Sequence, residues 1–108
     1  FKANCPDVRN TKVIDVIREL QTYQVKCHIH DPVADPGEVM HEYGLELTPW
    51  DQLPVADAIV AAVPHAQFKE RTMDSFRTKL NEPSAFIDVK GAFDLDTFQG
   101  SSTKTWRL

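Results

Sequence analysis

The sequence feature that most constrains the fold is an uninterrupted apolar run at 58–63, Ala-Ile-Val-Ala-Ala-Val, which Pro64 follows directly. A short apolar run with turn residues at its borders is typical of a central strand that is covered on both faces. A second, mostly apolar run at 85–89 is followed by Lys90 and Gly91. These two runs predict neighbouring strands in a buried, largely parallel sheet.

Helical patterns separate the predicted strands. Asn10 or Thr11 is in position to cap a first helix, and Asp35 to cap a second helix that ends at Gly44. The apolar positions that we expect to face the core are Val13, Val16, Ile17 and Leu20 in the first helix, Val39, Met40 and Tyr43 in the second, and Met73, Phe76 and Leu80 in a third. Alternating residues at 25–30 and a short segment at 45–47 predict two more strands, and 48–51 predicts a helix of about one turn.

The order of these elements predicts the fold class. Alternating strands and helices are typical of an α/β fold, here a three-layer, Rossmann-like, doubly wound and mostly parallel sheet. We expect residues 1–108 to form a single domain in strand order 3-2-1-4-5, with the first strand largely truncated to its last residues at 1–2. The tail that follows the last predicted strand has no repeat, and its last residues are expected to pack loosely.

Composition and charge exclude several classes of function. The 108 residues carry a net charge of −4, so no broad basic surface exists for nucleic acid. No apolar run is long enough to span a membrane. The chain begins with Phe1 and has no signal-peptide pattern, so we expect that an upstream segment has been removed. Cys5 and Cys27 favour a reduced, cytoplasmic protein over a disulfide-linked one.

The familiar cofactor and metal motifs are absent from the sequence. Neither the G-x-G-x-x-G pattern of dinucleotide sites nor the phosphate loop G-x-x-x-x-G-K-[ST] occurs, and no Cys or His pair has zinc spacing. His28 and His30 share one face of a predicted strand without a third ligand, so they receive no role. His65 follows the apolar run at 58–63 and is a minor candidate, although helix capping explains it equally well.

Three cations near the start of the chain form the candidate anion site. Lys2, Arg9 and Lys12 lie where a strand is expected to pass into a helix, and the free N–H groups of a helix start favour phosphate. Pairing of these cations with Asp7 or Asp15 is an equally weighted alternative on composition alone. Asp31 could bind a ribose, but a turn-forming role with Pro32 is favoured because the glycine motif is missing.

These residues also resemble a known family. The ordered segments Phe1-Lys2-x-Asn4-x-Pro6-Asp7-x-Arg9-Asn10, His30-Asp31-Pro32 and Ile87-Asp88-Val89-Lys90-Gly91 are similar to the carboxyl-terminal, UDP-binding domain of the UDP-glucose/GDP-mannose dehydrogenase family. The resemblance covers nearly the whole chain. The segment at 4–10 is most similar to bacterial members that oxidise a UDP-N-acetylhexosamine.

The resemblance implies an NAD-dependent, two-step oxidation of a UDP-sugar primary alcohol to a uronic acid, through a cysteine-bound thiohemiacetal and thioester. Such enzymes are cytoplasmic homodimers or higher homo-oligomers that serve surface polysaccharide biosynthesis. Neither cysteine of this chain matches the family's catalytic cysteine, so the chain is expected to hold no catalytic residue and to be inert by itself. NAD is expected to bind mainly to an amino-terminal domain outside this chain.

The resemblance also assigns binding roles by motif position. It places Phe1, Lys2 and Lys90 on the UDP-sugar and Arg9 on the NAD. Many family members have Arg where this chain has Lys90, which favours a single-point ammonium contact over a bidentate phosphate contact. The alternative function is a stand-alone, Rossmann-like nucleotide-binding or regulatory module without catalysis.

Overall fold

The computed structural model describes residues 12–70 and 73–107. The chain forms two compact units, Phe1–Leu53 and Pro54–Leu108. The second unit contains an open sheet of three parallel strands with helices in its connections. This arrangement confirms the predicted α/β, Rossmann-like class, whereas a single domain over 1–108 stays a prediction.

The sheet is built from β1 (Ala56–Ala61), β2 (Leu80–Asp88) and β3 (Thr103–Arg107), in the order β1-β2-β3. Parallel neighbours require crossover connections. The first crossover carries the short helices α3 (Ala66–Glu70) and α4 (Met73–Arg77), and the second carries the 3₁₀ helix Leu95–Phe98. All three strands therefore end at the same edge of the sheet.

The two faces of the sheet are unequally buried. In register, Ile59 of β1 pairs with Phe86 of β2, and Phe86 is fully buried. The neighbouring row on the opposite face joins Val60 to Ile87 and Trp106, and there Val60 remains 40% and Trp106 50% exposed. The expectation that the 58–63 run is covered on both faces is wrong at Val60, because the described aromatic rings of the second unit pack on the Phe86 face and leave Val60 half-exposed.

Four phenylalanine rings form the core beside the sheet. Phe76 of α4 meets Phe86 edge-on at 5.6 Å between ring centroids, and Phe98 stacks on Phe86 at 5.3 Å. Phe93, from the loop after β2, lies 5.8 Å from Phe76 and 5.9 Å from Phe86. Edge-to-face and offset pairs of this kind add to the free energy gained by burying the rings. The core thus holds the loop after β2 against α4.

The last strand differs from the sequence expectation. The last residues of the chain are expected to pack loosely, but 103–107 form β3 and pair with β2 from Ser84 opposite Thr103 to Asp88 opposite Arg107. The segment has only one apolar side chain, so hydrophobic periodicity could not identify it. The sequence feature that favours a strand here is the residue types, since Thr103 and Thr105 are β-branched and Trp106 is aromatic.

The strand β2 begins earlier than expected, at Leu80, and contains Pro83 in a cis peptide with Glu82. Its register with β1 shifts between Ala56, opposite Leu80, and Ala58, opposite Ala85. Because Pro83 lies in this irregular part, its missing N–H removes no regular ladder bond to β1. The third predicted helix appears as α3 and α4, and Leu80 belongs to β2.

In the first unit, α1 spans Val13–Thr22 and has Lys12 at its N-cap without a side-chain cap. The expected caps, at 10 and 11, lie outside the described residues. Ile14 and Ile17 are buried, while Val16 is 48% exposed. The expected inward position of Val16 is wrong, because the buried face of α1 contains Ile14 and Ile17 and not Val16.

The second helix confirms its predicted ends. It spans Pro36–Tyr43, the Asp35 side chain accepts hydrogen bonds from the N–H groups of Gly37 and Glu38, and Gly44 ends the helix in the left-handed conformation. Val39 is buried against Ala34, with three partly buried residues packed around them: Tyr43, Leu45 and Leu47. In contrast to Val39, the expected core residue Met40 is exposed.

The two predicted strands of the first unit are reduced to one parallel bridge, Ile29 with Leu47. Thr48 donates its N–H to the Ile29 carbonyl at 2.6 Å next to this bridge. A strand needs a continuous ladder of backbone partners, and residues 25–28 have no such ladder with the residues that the structure describes. The strand predicted beside them, at 1–2, lies outside the described residues. The predicted one-turn helix is present as the 3₁₀ helix Trp50–Gln52.

Within 12–70 and 73–107, no helix has the length and apolar character needed to cross a bilayer. The same residues contain no cluster of three or more His, Cys, Asp or Glu side chains that could hold a metal ion.

Candidate functional site

The candidate site lies at the edge where the three parallel strands end. Ala61, Asp88 and Arg107 occupy the last register row, side by side across β1, β2 and β3. Ligands of open α/β sheets gather outside the carboxyl ends of the strands, so this edge is the expected position for a binding site. The loop that follows β2 carries Lys90, which is exposed to solvent.

The Asp88 carboxylate organises this loop. It is fully buried, and its two oxygens accept separate backbone hydrogen bonds, Oδ1 from Ala92 at 3.1 Å and Oδ2 from Phe93 at 2.9 Å. A buried carboxylate is costly unless it is paired and hydrogen-bonded. Here two N–H groups of its own loop and a cation of the next strand, Arg107, meet that requirement.

Arg107 closes the loop from the side of β3. Its Nε lies 3.7 Å from Asp88 Oδ2, and its Nη2 donates a hydrogen bond to the Phe93 carbonyl. Phe93 therefore uses its N–H on Asp88, its carbonyl on Arg107 and its ring in the aromatic core. The far end of the loop is fixed by three independent contacts.

The near end of the loop is fixed on β1. Val89 donates its N–H to the Ala61 carbonyl at 3.1 Å, which continues the β1–β2 ladder by one bond beyond β2. Gly91 has a φ of +67°, a left-handed conformation that glycine adopts without the steric cost of a side chain. Lys90 thus lies between a strand-like hydrogen bond at Val89 and a left-handed backbone conformation at Gly91, which together fix its backbone at the sheet edge.

His65 also lies beside this edge, after β1 and before α3. It is fully buried, its N–H donates to the Val63 carbonyl at 3.0 Å, and its ring lies 5.7 Å from that of Phe68. Burial against an aromatic ring gives His65 a packing function rather than a contact with a solvent-borne ligand.

Asp31, a predicted candidate, and His30, for which no role is predicted, have structural partners in the first unit. The Asp31 carboxylate accepts the N–H groups of Val33 at 2.8 Å and Ala34 at 2.9 Å, which confirms the turn-forming role. His30 makes a 3.0 Å hydrogen bond between Nδ1 and the Thr48 carbonyl and meets the Trp50 ring edge-on. Both side chains stabilise local structure.

The remaining site predictions fall on residues whose structure is not described. Phe1, Lys2 and Arg9, together with Cys5, lie outside 12–70 and 73–107. Of the residues assigned to ligands, the structure therefore describes Lys90 alone, and the roles of all four stay predictions.

Sequence reasoning missed the two residues that hold the loop. Asp88 lies in the family-like segment at 87–91 without a predicted role, although an acid at a strand end is a recognisable acceptor for the backbone N–H groups of the loop that follows, here four and five positions later. Arg107 offered no signal, because only the pairing of β3 with β2 brings it near Asp88.

An open surface depression of about 560 Å³ occurs beside β3 and the 3₁₀ helix Leu95–Phe98. Lys104 and Trp106 are among the residues that line it, and Lys90 is not. The depression is therefore separate from the loop at the carboxyl ends of the strands.

Comparison with curated proteins finds three bacterial relatives. The chain is 36% identical over 108 residues to Protein CapL of Staphylococcus aureus, covering all of this chain and 25% of the relative. It is 36% identical over 96 residues to the UDP-N-acetyl-D-glucosamine 6-dehydrogenase of Pseudomonas aeruginosa and 41% identical over 90 residues to that of Salmonella typhi. These alignments cover 89% and 83% of the chain but only 23% and 21% of the relatives.

A family model matches residues 1–95, and its description is the UDP binding domain of the UDP-glucose/GDP-mannose dehydrogenase family. The match includes the Lys90 loop and Asp88 and ends before β3. The chain therefore belongs to the UDP-glucose/GDP-mannose dehydrogenase family and corresponds to its UDP binding domain.

Proposed function

We propose that this chain is the UDP-sugar-binding domain of an NAD-dependent dehydrogenase that oxidises the primary alcohol of a UDP-hexose or UDP-N-acetylhexosamine to a uronic acid. The observation that carries the proposal is the family match over a chain in which an exposed lysine stands on an anchored loop at the carboxyl edge of a parallel sheet. The names of two relatives support the N-acetylhexosamine as substrate.

In this proposal Lys90 and Lys2 bind the diphosphate of the UDP-sugar, and Phe1 also contacts the UDP-sugar. A chain with a net charge of −4 gains nothing from general attraction to an anion, so local cations supply the phosphate binding. A lysine ammonium makes a compact contact with one or two phosphate oxygens and lacks the planar double donor of arginine.

The chain does not fit a self-contained NAD site. Its four glycines are Gly37, Gly44, Gly91 and Gly100, and they do not form the closely spaced pattern that lets a backbone approach a pyrophosphate. We therefore assign the main NAD contacts to another part of the full-length protein. Arg9 is proposed to reach the NAD from this domain.

The full-length protein supplies the chemistry in this proposal. The chain spans about a quarter of the length of the curated relatives that it matches, and neither Cys5 nor Cys27 is assigned as a nucleophile. Hydride acceptance is the contribution of NAD. This domain contributes binding and orientation of the sugar nucleotide in a cytoplasmic, homo-oligomeric enzyme of bacterial surface polysaccharide biosynthesis.

The test uses the full-length protein that contains this chain. UDP is titrated by calorimetry at two salt concentrations into the wild type, Lys2→Ala, Lys90→Ala and the control Lys104→Ala, which removes an exposed cation from β3. We expect each of the first two variants to lose ~1–3 kcal/mol of binding free energy and part of the salt dependence. Wild-type affinity in both would show that the site is misplaced.

Catalysis is tested separately by following the absorbance of reduced NAD with UDP-glucose and UDP-N-acetylglucosamine. We expect turnover by the full-length protein and none by the chain of residues 1–108 alone. UDP binding without turnover by the full-length protein would favour the alternative, a nucleotide-binding or regulatory module without catalysis. Turnover by the purified chain alone would contradict the assignment of the chemistry to other domains.

A further inference from the structure

Arg107 and Lys90 are connected through a single short loop. Residues 89–93 leave the end of β2, and both ends of this segment are bonded to the sheet edge. Arg107 reaches the segment from β3, where it lies opposite Asp88 in the parallel register. The family match ends at residue 95, so β3 and Arg107 lie beyond the part of the chain that carries the family pattern.

Arg107 contacts the two residues that hold the loop, Asp88 and Phe93. Nε faces the Asp88 carboxylate at 3.7 Å, and Nη2 donates to the Phe93 carbonyl. The arginine therefore joins two groups that already hydrogen-bond to each other, the Asp88 carboxylate and the Phe93 backbone. A planar guanidinium that bonds to two groups at once fixes their relative orientation, which a lysine ammonium does less well.

Loss of this link has a definite consequence for the loop. Without Arg107, the buried Asp88 carboxylate keeps, among the described residues, its two amide donors, and the Phe93 carbonyl loses the Arg107 hydrogen bond. The Lys90 side chain has several rotatable bonds, whose freedom is lost when it binds a ligand. The backbone of the loop sets the region that the ammonium group can reach, so a mobile loop adds to the freedom that is lost on binding. A binding group that is not held in place must be ordered when the ligand binds, and this ordering lowers the affinity.

Resting on the proposed function, we propose that Arg107 is a positioning residue for the sugar nucleotide: it holds the loop 89–93 through Asp88 and Phe93 so that Lys90 meets the UDP diphosphate. Arg107 acts through Lys90 and makes no contact with the ligand itself. The strand β3 is therefore part of the binding apparatus.

A double-mutant cycle in the full-length protein tests this link, with UDP affinity measured by calorimetry. We expect Arg107→Ala to raise the UDP dissociation constant about tenfold when Lys90 is present and by less than about twofold when Lys90 is already Ala. Lys104→Ala is the matched control, since it removes a cation from the same strand without touching Asp88 or Phe93. It should leave the dissociation constant unchanged.

Arg107→Lys separates orientation from charge. This variant keeps a cation near Asp88 but cannot bond to Asp88 and Phe93 in the same planar arrangement. We therefore expect the UDP dissociation constant to rise by about threefold when Lys90 is present, and to stay unchanged when Lys90 is already Ala. In turnover assays, Arg107→Ala should raise the Michaelis constant for the UDP-sugar and leave kcat unchanged, as for a loss of uniform binding. Arg107→Lys also serves as the folded variant if Arg107→Ala unfolds, which circular dichroism would reveal.

The outcomes distinguish this inference from the proposed function. An equal effect of Arg107→Ala with and without Lys90 would overturn the positioning role and make Arg107 a direct ligand or a general stabiliser. Wild-type affinity in Arg107→Ala, with reduced affinity in Lys90→Ala, would overturn the inference while the proposed function stands. Absence of UDP binding by the wild-type full-length protein would overturn the proposed function itself.

Discussion

The Asp88 carboxylate and the Phe93 backbone are joined across a five-residue turn, with Oδ2 accepting the Phe93 N–H at 2.9 Å. Asp88 is fully buried at the end of the central strand β2, and the Phe93 ring belongs to the aromatic core. One hydrogen bond therefore connects the strand end, the loop that carries Lys90 and the core. This connection makes the loop sensitive to changes on either side.

Asp88→Asn tests the role of the carboxylate. One of the two oxygens becomes an NH₂ donor facing a backbone N–H, so one loop amide loses its acceptor and the Arg107 ion pair is lost. We expect the free energy of unfolding to fall by ~1–3 kcal/mol in urea titrations. The Ala92 and Phe93 amides should also exchange hydrogen faster.

The control for this change is Asp96→Asn, which neutralises an exposed carboxylate in the second 3₁₀ helix. Its effect should stay within about 0.5 kcal/mol. Equal stability losses in the two variants would mean that the Asp88 bonds to the loop contribute little.

Gly91→Ala tests the left-handed turn next to Lys90. A Cβ at Gly91 would meet no atom within 4 Å, so the cost arises from the backbone φ of +67° alone. We expect a loss of ~1–2 kcal/mol in the free energy of unfolding. Gly91→Asn should cost less, because asparagine tolerates this conformation. Equal stability of the alanine variant and the wild type would contradict the assigned backbone conformation.

Phe86→Ala tests the core beside the sheet. Phe86 is fully buried and meets the rings of Phe76, Phe93 and Phe98. Removing it should lower the free energy of unfolding by ~3–5 kcal/mol, measured by urea or thermal unfolding. Val60→Ala, on the half-exposed face, should cost less than about 1.5 kcal/mol. A larger loss of unfolding free energy in Val60→Ala than in Phe86→Ala would contradict the assignment of the buried face.

Arg9→Ala tests the proposed contact with NAD in the full-length protein. Loss of a charge-assisted hydrogen bond should raise the Michaelis constant for NAD by an amount equivalent to ~1.5–3 kcal/mol, with a smaller effect on the sugar nucleotide. Initial rates measured while each substrate is varied separate the two constants. A change confined to the sugar-nucleotide constant would contradict the assignment of Arg9 to the cofactor.

Elements defined by neighbours in sequence could be predicted from the chain itself. Asp35, Pro36 and Gly44 set both ends of the helix Pro36–Tyr43 through bonds that span only two to four residues. The same locality explains why the Asp31 turn was predicted correctly. The family resemblance also depends on short sequence motifs in a fixed order, and the family match confirms it.

Elements defined by distant partners could not be predicted in this way. Val16 and Ile14 are both apolar, and only packing decides which of them is buried. The segments at 25–30 and 103–107 both alternate in character, yet among the described residues the first makes one bridge, whereas the second forms a strand because it has a continuous backbone partner in β2.

The sequence alone determined the α/β class, the position of Lys90 directly after a strand, and the motifs that the family match confirms. Only the tertiary structure decided that Asp88 and Arg107, 19 positions apart, hold the Lys90 loop together. The physical reason is that their meeting depends on the parallel register of β2 and β3, which is set by backbone pairing over the whole length of β3. No local pattern of residue types encodes that register.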